Sequence, residues 1–236
     1  MATTGLQLLG FILVCLAWVG MIVTCASPEW RKNSQGQTVL DNIGRYDGLW
    51  KQCQQYSTGQ TKCESYDAFF IGLPEVLATC RALVVCAIGL GFVGLLLVIM
   101  GMKCMTVGGK LAQMNHQSKA RSTLIGGLLL GVSSACTGAS VSYYAHQIVQ
   151  EYFNPALPYK KPLYLRFEYG SALFVGWVTL VIGVLGSVVI CAASLMVLSK
   201  ISKDTILERE YVKAGHTRLE GLTTQNVKTG AVQQYV

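Results

Sequence analysis

Four stretches of the chain, residues 5–28, 82–102, 122–145 and 171–199, contain no Asp, Glu, Lys, Arg or His. A bilayer's hydrocarbon core is roughly 30 Å thick and a helix rises about 1.5 Å per residue, so about 20 uncharged, mostly apolar residues cross it. A central Arg, Lys or Asp would cost about 2.5–3.5 kcal/mol on insertion scales. Four windows without such a residue therefore predict four transmembrane helices rather than the buried helices of a soluble domain. The polar residues fall into the connections: a short N-terminus at 1–4, loops at 29–81, 103–121 and 146–170, and a tail at 200–236. The first apolar run resembles a signal peptide in position. No Lys or Arg precedes it, however, and it exceeds the 7–15 residues typical of a signal core, so a retained helix is expected.

Within 29–81 the pattern changes to short strands. Residues 38–40 and 48–54 alternate as strands do, Tyr56-Ser57-Thr58-Gly59 reads as a turn, and 61–66 reads as the returning strand of a hairpin. Beyond it, Phe69, Phe70, Leu73, Val76 and Leu77 mark one face of a helix over 67–79, which Pro74 shortens or begins. Glycines crowd the second and third spans at Gly89, Gly91, Gly94, Gly126, Gly127, Gly131 and Gly138. Small residues let backbones approach closely in lipid, so tight helix packing is expected there.

Composition agrees, with mean hydropathy +0.43, 52% apolar residues and 13% charged ones, against about a quarter charged in soluble domains. The net charge of +7 gains meaning from its location. Lys103, Lys110, Lys119 and Arg121 occupy the middle loop without an acidic partner, whereas 29–81 carries six basic and six acidic side chains. The positive-inside rule then makes the middle loop and both termini cytosolic, and the other two loops extracellular. A basic loop beside anionic membrane lipid accounts for the excess, so no nucleic-acid partner is called for. No span contains an ionisable residue, which leaves a proton relay or midplane ion site without its usual parts. His116, His146 and His216 are too scattered for a metal set or catalytic dyad, so neither enzyme, metal nor cofactor is expected.

Of nine cysteines, Cys15, Cys25, Cys80, Cys86, Cys104, Cys136 and Cys191 lie in or beside the spans. Cys53 and Cys63 alone face an oxidising space. A loop unit this small usually needs a staple, and a disulfide across the hairpin would contribute about 2–3 kcal/mol in the chain-entropy model.

Trp30, Gly48-Leu49-Trp50, Cys53 and Cys63 in the first loop of a four-span chain form a specific constellation. It resembles the claudin family. The opening Gly5-Leu6-Gln7-Leu8-Leu9-Gly10, Arg81, the Gly101-Met102-Lys103-Cys104 exit, Phe153-Asn154-Pro155 and the terminal Tyr235-Val236 extend the likeness through the fourth span and to the C-terminus. Relatives such as peripheral myelin and lens membrane proteins and calcium-channel gamma subunits share the Trp and Cys signature. Arg81 and the terminal Tyr-Val narrow the resemblance to claudins. A channel-regulatory or other four-span subunit of the wider superfamily is the alternative.

The resemblance implies a mainly α membrane protein: an up-and-down four-helix bundle with a small antiparallel extracellular β-sheet. It implies a plasma-membrane protein of tight junctions that polymerises into strands, joins cells and forms a paracellular barrier or ion-selective pore. Its partners would be itself and other claudins, in cis and in trans, and PDZ scaffolds of the zonula occludens type. Carried over residue by residue, Cys53 and Cys63 form the family disulfide. Trp30, Gly48, Leu49, Trp50 and Arg81 anchor the sheet at the membrane, where Trp would also suit an interfacial belt. Phe69 matches an apolar knob for lateral assembly, or caps its own fold, and Tyr152, Phe153 and Tyr169 match the receiving pocket. Glu64 is the candidate pore charge, with Lys62 on the same strand face about 7 Å away and Asp67 near in sequence. Tyr235 and Val236 would add a strand to a PDZ domain, and Cys104 is a palmitoylation candidate beside the alternative of a plain interfacial thiol. Two features depart from the family: a longer stretch between Pro155 and Gly170, and no cysteine cluster after the fourth span.

Overall fold

The computed structural model describes residues 2–33, 44–56, 58–66, 73–102, 116–153 and 167–232. Four helices, α1 (Ala2–Ala26), α2 (Glu75–Gly101), α3 (His116–Phe153) and α4 (Ser171–Val232), contain nearly all of the four charge-free stretches. All four are long and apolar enough to cross a membrane. Their outward positions are apolar too, including Leu16, Val19, Phe92, Leu128 and Val188, as a lipid-facing surface requires. Pro74 caps α2 with extended backbone, so the helix begins after the proline, where a missing N–H costs nothing. α4 continues as one helix from its apolar half into the polar segment beyond residue 199.

The bundle is sewn together by small residues. Cys80, Ala87, Gly94 and Gly101 recur every seven residues on α2, and Ser140, Ser133 and Gly126 do so on antiparallel α3. A seven-residue repeat keeps one seam facing the partner helix. Ser133 Oγ donates to the Ala87 carbonyl at 2.6 Å, and Ser140 Oγ donates to Cys80 at 3.2 Å. Between Gly94 and Gly126 a Cβ on either residue would stand 2.8–3.1 Å from the other's carbonyl oxygen, so the backbones touch. α4 packs against α1 and α3 through its own small residues: a Cβ on Gly186 would meet Val14, and one on Gly176 would meet Val141 and Thr24. Trp18 Nε1 joins α1 to α2 by donating to the Ile88 carbonyl at 3.2 Å.

Five antiparallel strands form one sheet in the order β4-β3-β2-β1-β5. They are β1 (Arg31–Asn33), β2 (Gly44–Asp47), β3 (Lys51–Gln55), β4 (Thr61–Ser65) and β5 (Phe167–Tyr169). The expected hairpin is β3–β4, and its turn closes through Gly59, whose φ of +80° suits glycine and whose N–H donates to Tyr56. The first hairpin strand starts later than 48, because Gly48-Leu49-Trp50 makes the connection from β2. The Gly48 N–H donates to the Lys51 carbonyl at 2.9 Å, and a Cβ at Gly48 would sit 2.6 Å from Pro28 Cα. The strand expected at 38–40 lies outside the described residues. β1, β2 and β5 are additional strands, and β5, from the connection between α3 and α4, joins the sheet formed by the connection between α1 and α2.

Candidate functional site

The sheet and its attachments to the bundle make up the candidate site. Cys53 and Cys63 face each other in the β3–β4 register and are joined by a disulfide, Cα to Cα 4.1 Å. The covalent tie lies across the middle of the hairpin, as the cysteine positions imply.

The last four carbonyls of any helix lack intrahelical donors. On α1 two of them are satisfied by tryptophans from the loop. Trp30 Nε1 donates to the Thr24 carbonyl at 2.9 Å and Trp50 Nε1 to the Cys25 carbonyl at 3.1 Å. Trp30 is fully buried and meets the Tyr144 ring edge-on at 5.3 Å, so its contacts are with protein rather than with lipid. From α2, Arg81 reaches upward. Its Nε donates to the Leu49 carbonyl at 2.7 Å, and its guanidinium lies 4.8 Å from the Trp50 ring centre and 5.2 Å from that of Tyr66. A charge-assisted hydrogen bond and two aromatic faces offset the cost of burying this cation.

A second set of contacts was not visible in the sequence. Asp47, fully buried in β2, accepts from Arg31 Nε at 3.0 Å and from Arg45 Nε at 3.4 Å. Arg31 also lies 3.5 Å from Glu151 on α3 and stacks 4.2 Å from the Phe167 ring centre on β5. Burial opposes the Arg31 charge, yet Tyr144, Asp47 and Glu151 together hold its guanidinium above the ordinary arginine value. One side chain thus ties β1 to β2, to β5 and to α3. Glu29 completes the mount: its carbonyl accepts from Ala172 N at 3.1 Å and its carboxylate from Ser171 Oγ at 2.7 Å. A Cβ on Gly170 would collide with the Glu29 carbonyl, so only glycine lets β5 turn into α4. The sole sequence cue to this network is that Asp47 immediately precedes Gly48-Leu49-Trp50.

Lys62 and Glu64 come closer than their strand spacing suggests. Their charged groups form an ion pair at 2.9 Å on the exposed outer strand, in place of the expected separation of about 7 Å. That spacing measures Cα positions, and two long flexible side chains close it. The hydrogen bond and charge of Lys62 hold the Glu64 carboxyl below its ordinary value, and Glu64 likewise raises Lys62.

Tyr152, Phe153 and Tyr169 converge. With Ile148, Val149, Phe167 and Glu168 they line a shallow apolar hollow of about 170 Å³ where α3 meets β5. Phe153 is largely exposed at its rim. Phe69, Asp67, Cys104, Tyr235 and Val236 lie outside the described residues. Among the described residues no three His, Cys, Asp or Glu side chains group as metal ligands.

A family model described as PMP-22/EMP/MP20/Claudin matches residues 4–190, which include all four apolar stretches save the end of the last. Three curated relatives show the same span of likeness. Claudin-19 of Rattus norvegicus is 41% identical over 192 residues, covering 81% of this chain and 82% of the relative. Claudin-7 of Mus musculus is 38% identical over 178 residues, 75% and 80% of the two chains. Claudin-1 of Mus musculus is 37% identical over 191 residues, 80% and 86% of the two.

Proposed function

The chain belongs to the PMP-22/EMP/MP20/Claudin family, and from that premise we propose that it acts as a claudin of tight junctions, polymerising into strands that join cells and restrict the paracellular path. One observation carries this reading: a disulfide-tied sheet built from the α1–α2 and α3–α4 connections is fixed to a four-span bundle by Trp30, Trp50 and Arg81. Such a module offers surface for contact between copies, in keeping with relatives that are structural junction proteins. The hollow at Tyr152, Phe153 and Tyr169 would receive Phe69 of a neighbouring copy. The basic middle loop and both termini would face the cytosol, where Tyr235-Val236 would bind zonula occludens-type PDZ scaffolds and Cys104 would be palmitoylated.

The Lys62–Glu64 pair favours a barrier over a cation pore. A carboxylate with a cation at 2.9 Å presents a small dipole to the intercellular gap rather than a net negative charge. Expression in cells that lack tight junctions tests the whole reading. Strands enriched at cell contacts in freeze-fracture, with raised transepithelial resistance, are expected. Diffuse surface signal without strands would support instead a regulatory subunit acting within one membrane.

A further inference from the structure

A cavity of about 380 Å³ opens beneath the sheet, between the start of α2 and the extracellular end of α3. Its lower wall carries Leu77, Ile148 and, deepest on α3, the Tyr144 ring, and its upper wall carries Arg31, Glu151 and the Tyr66 ring. Height fixes what it meets. Leu77 lies five residues before the charge-free stretch that begins at 82, and Ile148 lies three residues past the one that ends at 145. At about 1.5 Å per residue these positions stand about 7.5 and 4.5 Å outside the hydrocarbon, and Glu151 about 9 Å. The headgroup layer is roughly 5–8 Å deep on each side. The cavity is therefore level with the headgroups of the outer leaflet.

Its charges come in both signs. The Arg31 and Glu151 side chains are 27% and 46% exposed, and their mutual contact at 3.5 Å is longer than the roughly 2.7–2.9 Å of a strong charge-assisted bond. Each retains capacity for a further partner: Arg31 has unspent N–H donors and Glu151 unspent carboxylate lone pairs. A purely anionic group would be repelled by Glu151, and a simple cation by Arg31. A zwitterion with an anion and a quaternary ammonium a few bonds apart suits both, and aromatic faces are the usual hosts of quaternary ammonium. We propose that this cavity binds the phosphocholine headgroup of an outer-leaflet phosphatidylcholine, its phosphate on Arg31, its trimethylammonium between Glu151 and Tyr66, and its glycerol end over Leu77 and Ile148. The site would hold the underside of the sheet to the membrane, independently of whether copies of the chain polymerise.

The full chain in nanodiscs containing a photoactivatable phosphatidylcholine tests this. Labelling is expected to concentrate on peptides carrying Tyr66, residues 73–77 and residues 144–151, at least fivefold above labelling by the phosphatidylglycerol analogue. Gln147→Trp, which fills the cavity from its α3 wall, should lower that labelling fivefold or more without shifting the thermal midpoint, and Glu151→Lys should lower it as far while also lowering the midpoint, because it sets a second cation beside Arg31. Labelling spread evenly over the lipid-facing positions of the spans, equal labelling by phosphatidylglycerol, or an unaffected Gln147→Trp would overturn the proposal. So would equal competition by free phosphocholine at the lipid's concentration, which would assign the site to a soluble ligand.

Discussion

Replacing Asp47 by Ala removes a fully buried carboxylate that accepts from Arg31 at 3.0 Å and from Arg45 at 3.4 Å. Breaking a buried pair from one side costs about 3–5 kcal/mol, because a charge is left without its partner. Here the lower end applies. The Arg31 and Arg45 side chains are 27% and 42% exposed, so both guanidiniums regain water, and Glu151 stays beside Arg31. A loss of about 3 kcal/mol follows, or about 6–12 °C in thermal midpoint for a chain of this length. Glu151→Gln touches the same arginine through a contact that is longer and half in solvent, and should cost only about 0.2–1 kcal/mol. Tryptophan fluorescence of the purified protein in detergent reads the difference, since two of the four tryptophans, Trp30 and Trp50, stand where the sheet meets α1. The double variant Asp47→Leu with Arg31→Met should recover most of the loss, as apolar replacements of whole buried pairs often do. If Asp47→Ala melts within about 2 °C of the parent, or no lower than Glu151→Gln, the carboxylate is not the tie that its burial indicates.

Lys62→Gln leaves the Glu64 carboxylate unneutralised and should raise the sodium to chloride permeability ratio in dilution potentials, whereas Glu64→Lys should lower it; no change in either removes the pair from the ion path. A carboxyl held below its ordinary value of 4.5 contributes stability above its unfolded value and loses it as pH falls through the folded one. The permeability ratio should therefore stay flat from about pH 8 to about pH 5.5 and turn toward anions only below the glutamate range. Gly126→Leu should cut surface delivery at least fivefold, because even its Cβ would lie 2.8 Å from the Gly94 carbonyl and 3.0 Å from Val98 N. Gly89→Leu, with nothing within 4 Å, should stay within about twofold of the parent by surface biotinylation. Phe69→Asp should disperse freeze-fracture strands while surface expression is kept, and unchanged strands would remove Phe69 from lateral assembly.

The spans were legible because a bilayer penalises single charges heavily, so a run of residues without one speaks for itself. The β3–β4 hairpin was legible for local reasons: a Gly59 turn and two cysteines flanking it. β1, β2 and β5 were not, since Arg31–Asn33, Gly44–Asp47 and Phe167–Tyr169 are three or four residues each, polar in part, and held by partners up to 138 positions away. Trp30, Trp50 and Arg81 stood out as a motif, but what they touch depends on where α1 ends and how Leu49 is folded. Nothing in the sequence joins Asp47 to Arg31, 16 positions apart, and only their meeting from neighbouring strands buries the carboxylate. The helical course of α4 past residue 199 was hidden by the loss of apolar periodicity once the chain turns polar.

Why so many independent ties for so small a sheet is answered by what assembly demands. Indole caps on α1, Arg81 from α2, Arg31 to Glu151 on α3 and Glu29 to the start of α4 fasten it to all four helices. A sheet on a loose tether would lose rotational freedom, and several ordered side chains, each time two copies met, at about 0.5–1.5 kcal/mol per immobilised side chain before any contact contributed. Fastened during folding, it presents the hollow at Tyr152, Phe153 and Tyr169 and the outer strand with Lys62 and Glu64 at set heights and angles above the membrane. Individually weak contacts between copies can then hold a long strand, because each added copy arrives already ordered. The same reasoning makes Arg31 the joint to watch, since its one side chain bridges β2, β5 and α3, and loosening it should shorten strands before it unfolds the bundle.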